Sequence, residues 1–302
     1  MVKLDIHSKV KLNNNILMPI FGLGMYRSPP GEDAKKSALF ALKEANYIHL
    51  DSARFYENEK DAGDAVRESG LPRESIFVTS KLLTTEGGRE KCAPLVENSI
   101  KQINLGYVDQ YLLHAPIGGH VLECYDLLLE YQKKGLFKTV GVSNFGVAHL
   151  EALKSAGRPL PQVNQIELHP WCQNRDIVDW CRANNVAVVG YSPLAKSQKL
   201  DDPVVNDIAN KHKKTAAQVL IRWSLEKGYV TIPKSNKPER IIENANVFDF
   251  ELDETDMRRL DELGKGVCVL TGWVPTFGSI AANFGPTKSL MHQSTIRAVN
   301  FG

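Results

Sequence analysis

The stretch His49-Leu50-Asp51-Ser52-Ala53-Arg54-Phe55-Tyr56-Glu57-Asn58-Glu59 decides how the chain reads. It continues an apolar run that begins at Tyr47-Ile48 and has the character of a strand. At Asp51 it turns into a polar loop that opens a helix. Two later stretches switch in the same way, Phe77-Val78-Thr79-Ser80-Lys81 and Tyr111-Leu112-Leu113-His114. An Asp, a Tyr, a Lys and a His therefore fall at or just past the ends of consecutive buried strands.

Working outward, further strand-like runs occupy residues 20–24, 139–142, 162–166, 186–190 and 229–232. Several are apolar almost throughout, as strands covered on both faces of a parallel sheet must be. Helical patterns lie between them. Residues 34–44 place Ala38, Leu39 and Leu42 on one face, and 121–134 place Leu122, Tyr125, Leu128 and Leu129 on one face, with Gly135 as the stop. Asn174 opens another helix, and Thr215 caps one over 216–226 that ends at Gly228. The count is about eight β-α units, which is an α/β fold of the (β/α)₈ TIM-barrel type with right-handed crossovers. At the N-terminus, Val10-Lys11-Leu12 and Ile16-Leu17-Met18 flank Asn13-Asn14-Asn15, the pattern of a β-hairpin, because Asn tolerates positive φ.

The barrel is expected over about 18–263, within one domain spanning 1–302, since no Pro- or Ser-rich linker divides the chain. From Gly264 to Gly302 the alternation stops, and the segment is rich in Gly, Ser and Thr with isolated aromatics such as Trp273 and Phe277. It reads either as a flap over the barrel mouth, touching the site as far as about Phe277, or as a partly ordered terminus.

Bulk properties narrow the function. The 302 residues are 43% hydrophobic and 24% charged, an ordinary globular composition, and the net charge of +2 points to neither nucleic acid nor an anionic membrane. The 5 cysteines are scattered without CxxC spacing, which argues against a disulfide framework or a zinc site and fits a reducing compartment. There is no apolar run of membrane-spanning length and no signal-peptide core, so a cytoplasmic protein, and a monomer, is expected.

In a barrel the strand C-termini share one mouth, so Asp51, Lys81 and His114 should converge there with Tyr56 above them. Each alone has an ordinary explanation: a solvated or structurally paired charge, a satisfied core histidine, a packed tyrosine. Their joint occurrence at matching places in consecutive units is what a structural role alone does not require. The combination also has a chemical logic. A phenol is a poor acid at neutral pH; a neighbouring ammonium lowers its pKa and burial raises it. Asp51 would hold Lys81, Tyr56 would give a proton to a carbonyl oxygen, and His114 would hydrogen-bond and orient that oxygen. Such a site reduces a carbonyl and needs a hydride donor.

From Gly22-Leu23-Gly24 to Asn244 the chain resembles the aldo-keto reductases. The resemblance rests on Leu50-Asp51-Ser52-Ala53 through Tyr56, Thr79-Ser80-Lys81-Leu82, Leu113-His114, Gly141-Val142-Ser143-Asn144-Phe145, Asn164-Gln165-Ile166-Glu167-Leu168-His169-Pro170, Tyr191-Ser192-Pro193-Leu194 and Ile232-Pro233-Lys234-Ser235 with Arg240-Ile241 and Glu243-Asn244. It implies that Asp51, Tyr56, Lys81 and His114 are the catalytic four, with Tyr56 the proton donor. It also implies a nicotinamide cofactor. Ser143, Asn144 and Gln165 would bind the carboxamide, Tyr191 would stack on the ring, and Ser192 and Leu194 would follow the pyrophosphate. Gly24 and Met25, with Asp51 below, would lie near the ribose and nicotinamide. Ile232 belongs to the matched last-strand motif, and Glu243 and Asn244 would meet the adenine.

Lys234, Ser235, Asn236 and Arg240 follow the last strand, where barrels frequently hold phosphate, and lead into a helix N-terminus. Within the matched motif they favour NADPH over NADH, because a Lys, a Ser and an Arg can neutralise and hydrogen-bond a 2′-phosphate. A Rossmann fingerprint is absent, since Arg27 stands where the third Gly would be. Substrate contacts are expected from Tyr26, Leu83, His114, Ala115 and Trp171. Many family members carry Trp where Leu83 and Ala115 stand, so a wider pocket that admits bulkier ketones is the expectation. No metal site is expected, because ligand patterns such as HxH or HExxH are missing. The competing expectation is a non-catalytic nucleotide-binding subunit, like the potassium-channel β-subunits of the same superfamily.

Overall fold

The computed structural model describes residues 3–264. In chain order its elements are β1 (Lys9–Lys11), β2 (Leu17–Pro19), β3 (Leu23–Gly24), α1 (Glu32–Glu44), β4 (His49–Asp51), α2 (Glu59–Ser69), β5 (Phe77–Leu82), α3 (Gly88–Ile103), β6 (Val108–Leu113) and α4 (Val121–Lys133). There follow β7 (Phe137–Ser143), α5 (Val147–Ser155), β8 (Val163–Glu167), α6 (Arg175–Ala183), β9 (Ala187–Tyr191), α7 (Pro203–His212), α8 (Ala216–Glu226), β10 (Val230–Thr231), α9 (Pro238–Ala245) and α10 (Glu254–Asp261).

Strands β3 to β10 form one 8-stranded sheet in sequential order, and every neighbouring pair is parallel. The sheet closes on itself: Phe21 bridges Thr231 in parallel, and Gly24 N donates to the Pro233 carbonyl at 3.0 Å. This is the expected (β/α)₈ barrel. All six residues of β5 and all six of β6 are buried, because one face of each strand fills the barrel and the other lies under helices.

The N-terminal hairpin is present and plugs the barrel from below. Val10 pairs with Met18, and the turn uses Asn15 at φ 69°, the left-handed conformation that Asn accepts. Asn13 and Asn14 donate to the carbonyls of Pro161 and Lys138, beside the starts of β8 and β7. Leu12 and Met18 pack with Phe77, Val163 and Val230, each the first residue of its strand. The caps follow the sequence. Thr215 Oγ1 accepts from Gln218 N at 3.2 Å while Gln218 Oε1 accepts from Thr215 N at 3.0 Å, and Gly135 and Gly228 end their helices at φ 76° and 77°. The expected flap, 264–302, lies outside the described residues apart from Gly264.

No described helix is long and apolar enough to cross a membrane. Among the described residues, Cys92, Cys124 and Cys181 are free thiols.

Candidate active site

Residue order within the strands decides which side chains meet at the mouth. Along β5 the side chains alternate, so Lys81 points into the barrel while Ser80 points out towards α2 and α3. Asp51 closes β4, and in the neighbouring ladder Lys81 stands two residues beyond its partner Thr79. Both side chains are buried, and Lys81 Nζ donates to Asp51 Oδ1 at 2.5 Å and to the Ser52 carbonyl at 2.8 Å. Gln165 Nε2 holds the other Asp51 oxygen at 2.7 Å. Tyr56 sits in a short turn of 3₁₀-helix, Arg54–Tyr56, which carries it back over the strand ends. Its hydroxyl lies 3.4 Å from Lys81 Nζ and 3.4 Å from His114 Nε2. The four residues that the sequence placed at strand ends therefore do converge.

Their electrostatics is dominated by burial. Burial pushes the Tyr56 phenol well above its ordinary value, and the Asp51 carboxylate adds to this. The ammonium does not win in the free site, so Tyr56 keeps its proton at neutral pH. Burial also lowers Lys81, with Asp51 pulling against it. His114 is held well below the usual imidazole range, first by burial and then by Lys81, and is therefore neutral.

These groups open into a cavity of about 300 Å³. Gly24, Asp51, Asn144, Gln165, Tyr191, Ser192, Leu194, Ile232 and Lys234, all expected at the cofactor, line it together with Tyr26, Tyr56 and His114. Gly24 is needed for close approach, since a Cβ there would stand 2.8 Å from the Ile232 carbonyl oxygen. Asn144, at φ 61°, donates to the His114 carbonyl at 2.9 Å and accepts from the Tyr191 hydroxyl at 2.9 Å. Ser143 is buried beneath it, donating to the Gln165 carbonyl at 2.8 Å. Met25 is buried beside Asp51, whose carbonyl accepts from Met25 N at 2.9 Å.

Other expected residues stand apart from the cavity. Ser235 is buried and accepts from Lys237 N at 3.1 Å. Asn236 Oδ1 accepts from Ser28 Oγ at 2.7 Å, and Glu243 accepts from Thr215 Oγ1 at 2.6 Å. Asn244 is buried and Arg240 exposed, both on α9. Leu83 is half-buried, Ala115 buried and Trp171 half-buried, and none of the three lines the cavity formed by the described residues.

Sequence reasoning missed Phe55, Arg27 and Lys196, which do line the cavity. Phe55 is 48% exposed, with its ring 6.5 Å from that of His114, and Tyr26 tilts against Tyr56 at 5.1 Å. The signal was adjacency: Phe55 precedes Tyr56, and Arg27 follows Tyr26. Arg27 also helps test whether an anionic dinucleotide fits. After burial, its charge is what holds the Lys234 ammonium below the ordinary value, so an anion between them would relieve a real repulsion. Lys196 belongs to a loop in which Ser192, Ala195, Lys196 and Ser197 all adopt positive φ, a concentration of backbone strain typical of ligand clamps. A cationic, strained rim next to an amide-lined, tyrosine-walled pocket fits a nicotinamide dinucleotide. Glu167, His169 and Cys172 lie close together and buried among the described residues, with His169 Nε2 3.1 Å from Glu167 Oε1.

Comparison with known proteins agrees. The model of the Aldo/keto reductase family matches residues 20–265. The chain is 41% identical over 261 residues to the glyoxal reductase of Bacillus subtilis (strain 168), covering 86% of this chain and 94% of that one. It is 38% identical to the methylglyoxal reductase DkgA of Escherichia coli (strain K12), covering 85% of this chain and 94% of that one. Among solved structures, an aldo-keto reductase from a Medee basin deep-sea metagenome library superposes with a TM-score of 0.82 at 42% identity, over 85% of this chain and 95% of that one. A Bombyx mori aldo-keto reductase in complex with NADP gives 0.79 at 30% identity, over 85% and 92%. With this fold, this site and these relatives, the chain belongs to the aldo/keto reductase family of oxidoreductases.

Proposed function

We propose that the protein reduces small aldehydes and ketones to alcohols with NADPH, α-dicarbonyl compounds of the glyoxal and methylglyoxal type among them. The observation that carries this reading is the Tyr56 hydroxyl lodged between Lys81 Nζ and His114 Nε2, 3.4 Å from each, at the wall of a cavity. A reduced nicotinamide bound there supplies the hydride. Everything else comes from the chain. Tyr56 holds its proton until negative charge develops on a carbonyl oxygen, then gives it up. The Lys81 ammonium, fixed by Asp51, stabilises the phenolate left behind. Neutral His114 donates a hydrogen bond to the same oxygen and sets its direction. Tyr26 and Phe55 wall the substrate end and favour small carbonyl compounds, which accords with the named activities of the relatives.

Ser143, Asn144 and Gln165 would hold the carboxamide, and Tyr191 the ring. Ser192 and Leu194, now with Arg27 and Lys196, would border the pyrophosphate. Lys234, Ser235, Asn236 and Arg240 would take the 2′-phosphate. Asn236 Oδ1 is taken by Ser28 and Glu243 Oε1 by Thr215, which leaves Asn236 Nδ2 and Glu243 Oε2 to reach the cofactor. The test is NADPH oxidation with methylglyoxal and with a panel of larger ketones, on the purified full chain and on Tyr56→Phe. The variant is expected to lose about 10²–10⁴-fold in kcat while NADPH binding, read by fluorescence quenching, is retained. A loss of only a few-fold with cofactor still bound would remove Tyr56 as the proton donor.

A further inference from the structure

Behind the Tyr56 turn lies a buried carboxyl that none of these steps uses. Glu59 is the first residue of α2 and is 5% exposed. Ser80 Oγ donates to its Oε1, Ser99 Oγ donates to its Oε2 at 3.1 Å, and the Tyr111 hydroxyl donates to Ser99 Oγ at 2.9 Å. Those partners come from β5, α3 and β6, so one carboxyl joins three elements to α2.

Two connections bring this network to the chemistry. Ser80 is the residue before Lys81, pointing outward where Lys81 points inward. On the other side, Glu59 follows Tyr56 with only Glu57 and Asn58 between them. Glu57 is in the left-handed region at φ 59°. Asn58 is held on every side: it donates to the Met25 and Ser28 carbonyls at 2.9 and 3.1 Å and accepts from Ser52 Oγ at 2.7 Å. The proton-donor turn and the lysine strand thus share one anchor. Burial raises the Glu59 carboxyl, while the hydroxyls of Ser80 and Ser99 and the charges of Arg54 and Lys81 favour its carboxylate form. Lys81 is supported first by Asp51 and then by Glu59, and at the N-terminus of α2 a carboxylate is favoured by the helix dipole.

We propose that Glu59 is a positioning residue for carbonyl reduction, its carboxylate tying the Tyr56 turn to the Lys81 strand and serving as the second counter-charge to the ammonium behind Asp51. This rests on the function proposed above. The groups that face Lys81 are Asp51, Tyr56, His114, His49 and Glu59; those that face Glu59 are Arg54, Lys81, Ser80, Ser99 and, through Ser99, Tyr111. Removing a negative charge beside the ammonium lowers the pKa values of the coupled Tyr-Lys pair. Reduction needs both groups protonated, so its basic limb must move to lower pH.

The experiment is the pH profile of kcat/KM for NADPH-dependent reduction by the wild type, Glu59→Gln and Glu59→Asp. Glu59→Gln is expected to move the basic limb down by about one pH unit with kcat reduced and NADPH affinity unchanged, and Glu59→Asp to restore the limb. A basic limb that stays in place in an active Glu59→Gln enzyme overturns the proposal and leaves Glu59 a purely structural group. Where Glu59→Gln does not fold, Glu59→Ala, which also removes the charge, takes its place, with a shift of the same sign expected and no shift overturning it. A wild type that oxidises no NADPH would sink the proposed function instead. In that case a double-mutant cycle of Glu59→Gln and Lys81→Met in urea unfolding reads the coupling without turnover. Non-additive effects support it, and additive ones overturn it.

Discussion

At the Lys81 ammonium, burial and pairing pull in opposite directions, and the site works because neither is left alone. Lys81 is 0% exposed, and Asp51 stands 2.5 Å away as its counter-charge. Asp51→Asn would leave a buried cation unpaired, so the fold is expected to lose about 3 kcal/mol in urea unfolding, beyond any loss of activity. Unchanged stability would mean that Lys81 sheds its proton at no cost. Arg240 is exposed on α9, the helix that follows Lys234 of the cavity lining along the chain. Arg240→Ala is expected to weaken NADPH by about tenfold and to leave NADH as it was, measured as dissociation constants; an unaltered preference takes Arg240 out of the phosphate site. At this scale the four catalytic candidates were legible because each stands where an apolar run ends. Phe55, Arg27 and Lys196 were not, because their side chains meet only where separate loops fold over one mouth.

At the scale of the element, helix boundaries were written in caps and strand boundaries less clearly. Asn174, Thr215, Gly135 and Gly228 sit at the ends expected of them. The strand expected from Tyr47 to Leu50 is instead His49–Asp51, because Asp51 still pairs with Thr79 in the ladder while Tyr47 packs below it. Helix α7 went unread between β9 and α8, although Asp202 caps it by accepting from Val204 N at 2.9 Å and Pro203 opens it. Two substitutions probe elements away from the chemistry. Thr215→Ala removes a two-way capping box and is expected to cost about 1 kcal/mol in unfolding with kcat intact. Gly63→Ala places a Cβ 2.0 Å from the Ile103 carbonyl oxygen, so α2 must move away from the end of α3. A loss of about 1–3 kcal/mol is expected, and thermal denaturation checks it.

Across the whole molecule, a polar layer crosses the barrel interior beneath the site. His49 Nε2 lies 3.1 Å from Thr79 Oγ1, which donates to Gln110 Oε1 at 3.3 Å, and Gln110 reaches Met18 of the hairpin at 3.8 Å. Burial, the largest cause, lowers His49 to about 4 from the ordinary 6.5. A lowered pKa in the folded state means that the unfolded chain takes up the proton first. The stability that this histidine contributes is therefore complete above pH 6.5 and is lost as pH falls from 6.5 towards 4, by about 3 kcal/mol. Urea midpoints measured across that window should drop steeply in the wild type and less in His49→Gln; equal slopes would show that His49 is not the group responsible.

The sequence by itself determined the class of fold and the candidates for the reacting groups. Alternation of apolar strands with capped helices admits a parallel α/β fold, the count of about eight units favours the closed barrel, and in a barrel every strand end opens on the same mouth. Only the tertiary structure decided that burial outweighs the ammonium at Tyr56, that Phe55 and Arg27 share its cavity, and that Glu59 holds Ser80 beside Lys81. Those facts depend on desolvation and on distances between loops far apart along the chain, and neither quantity is written in the order of the residues.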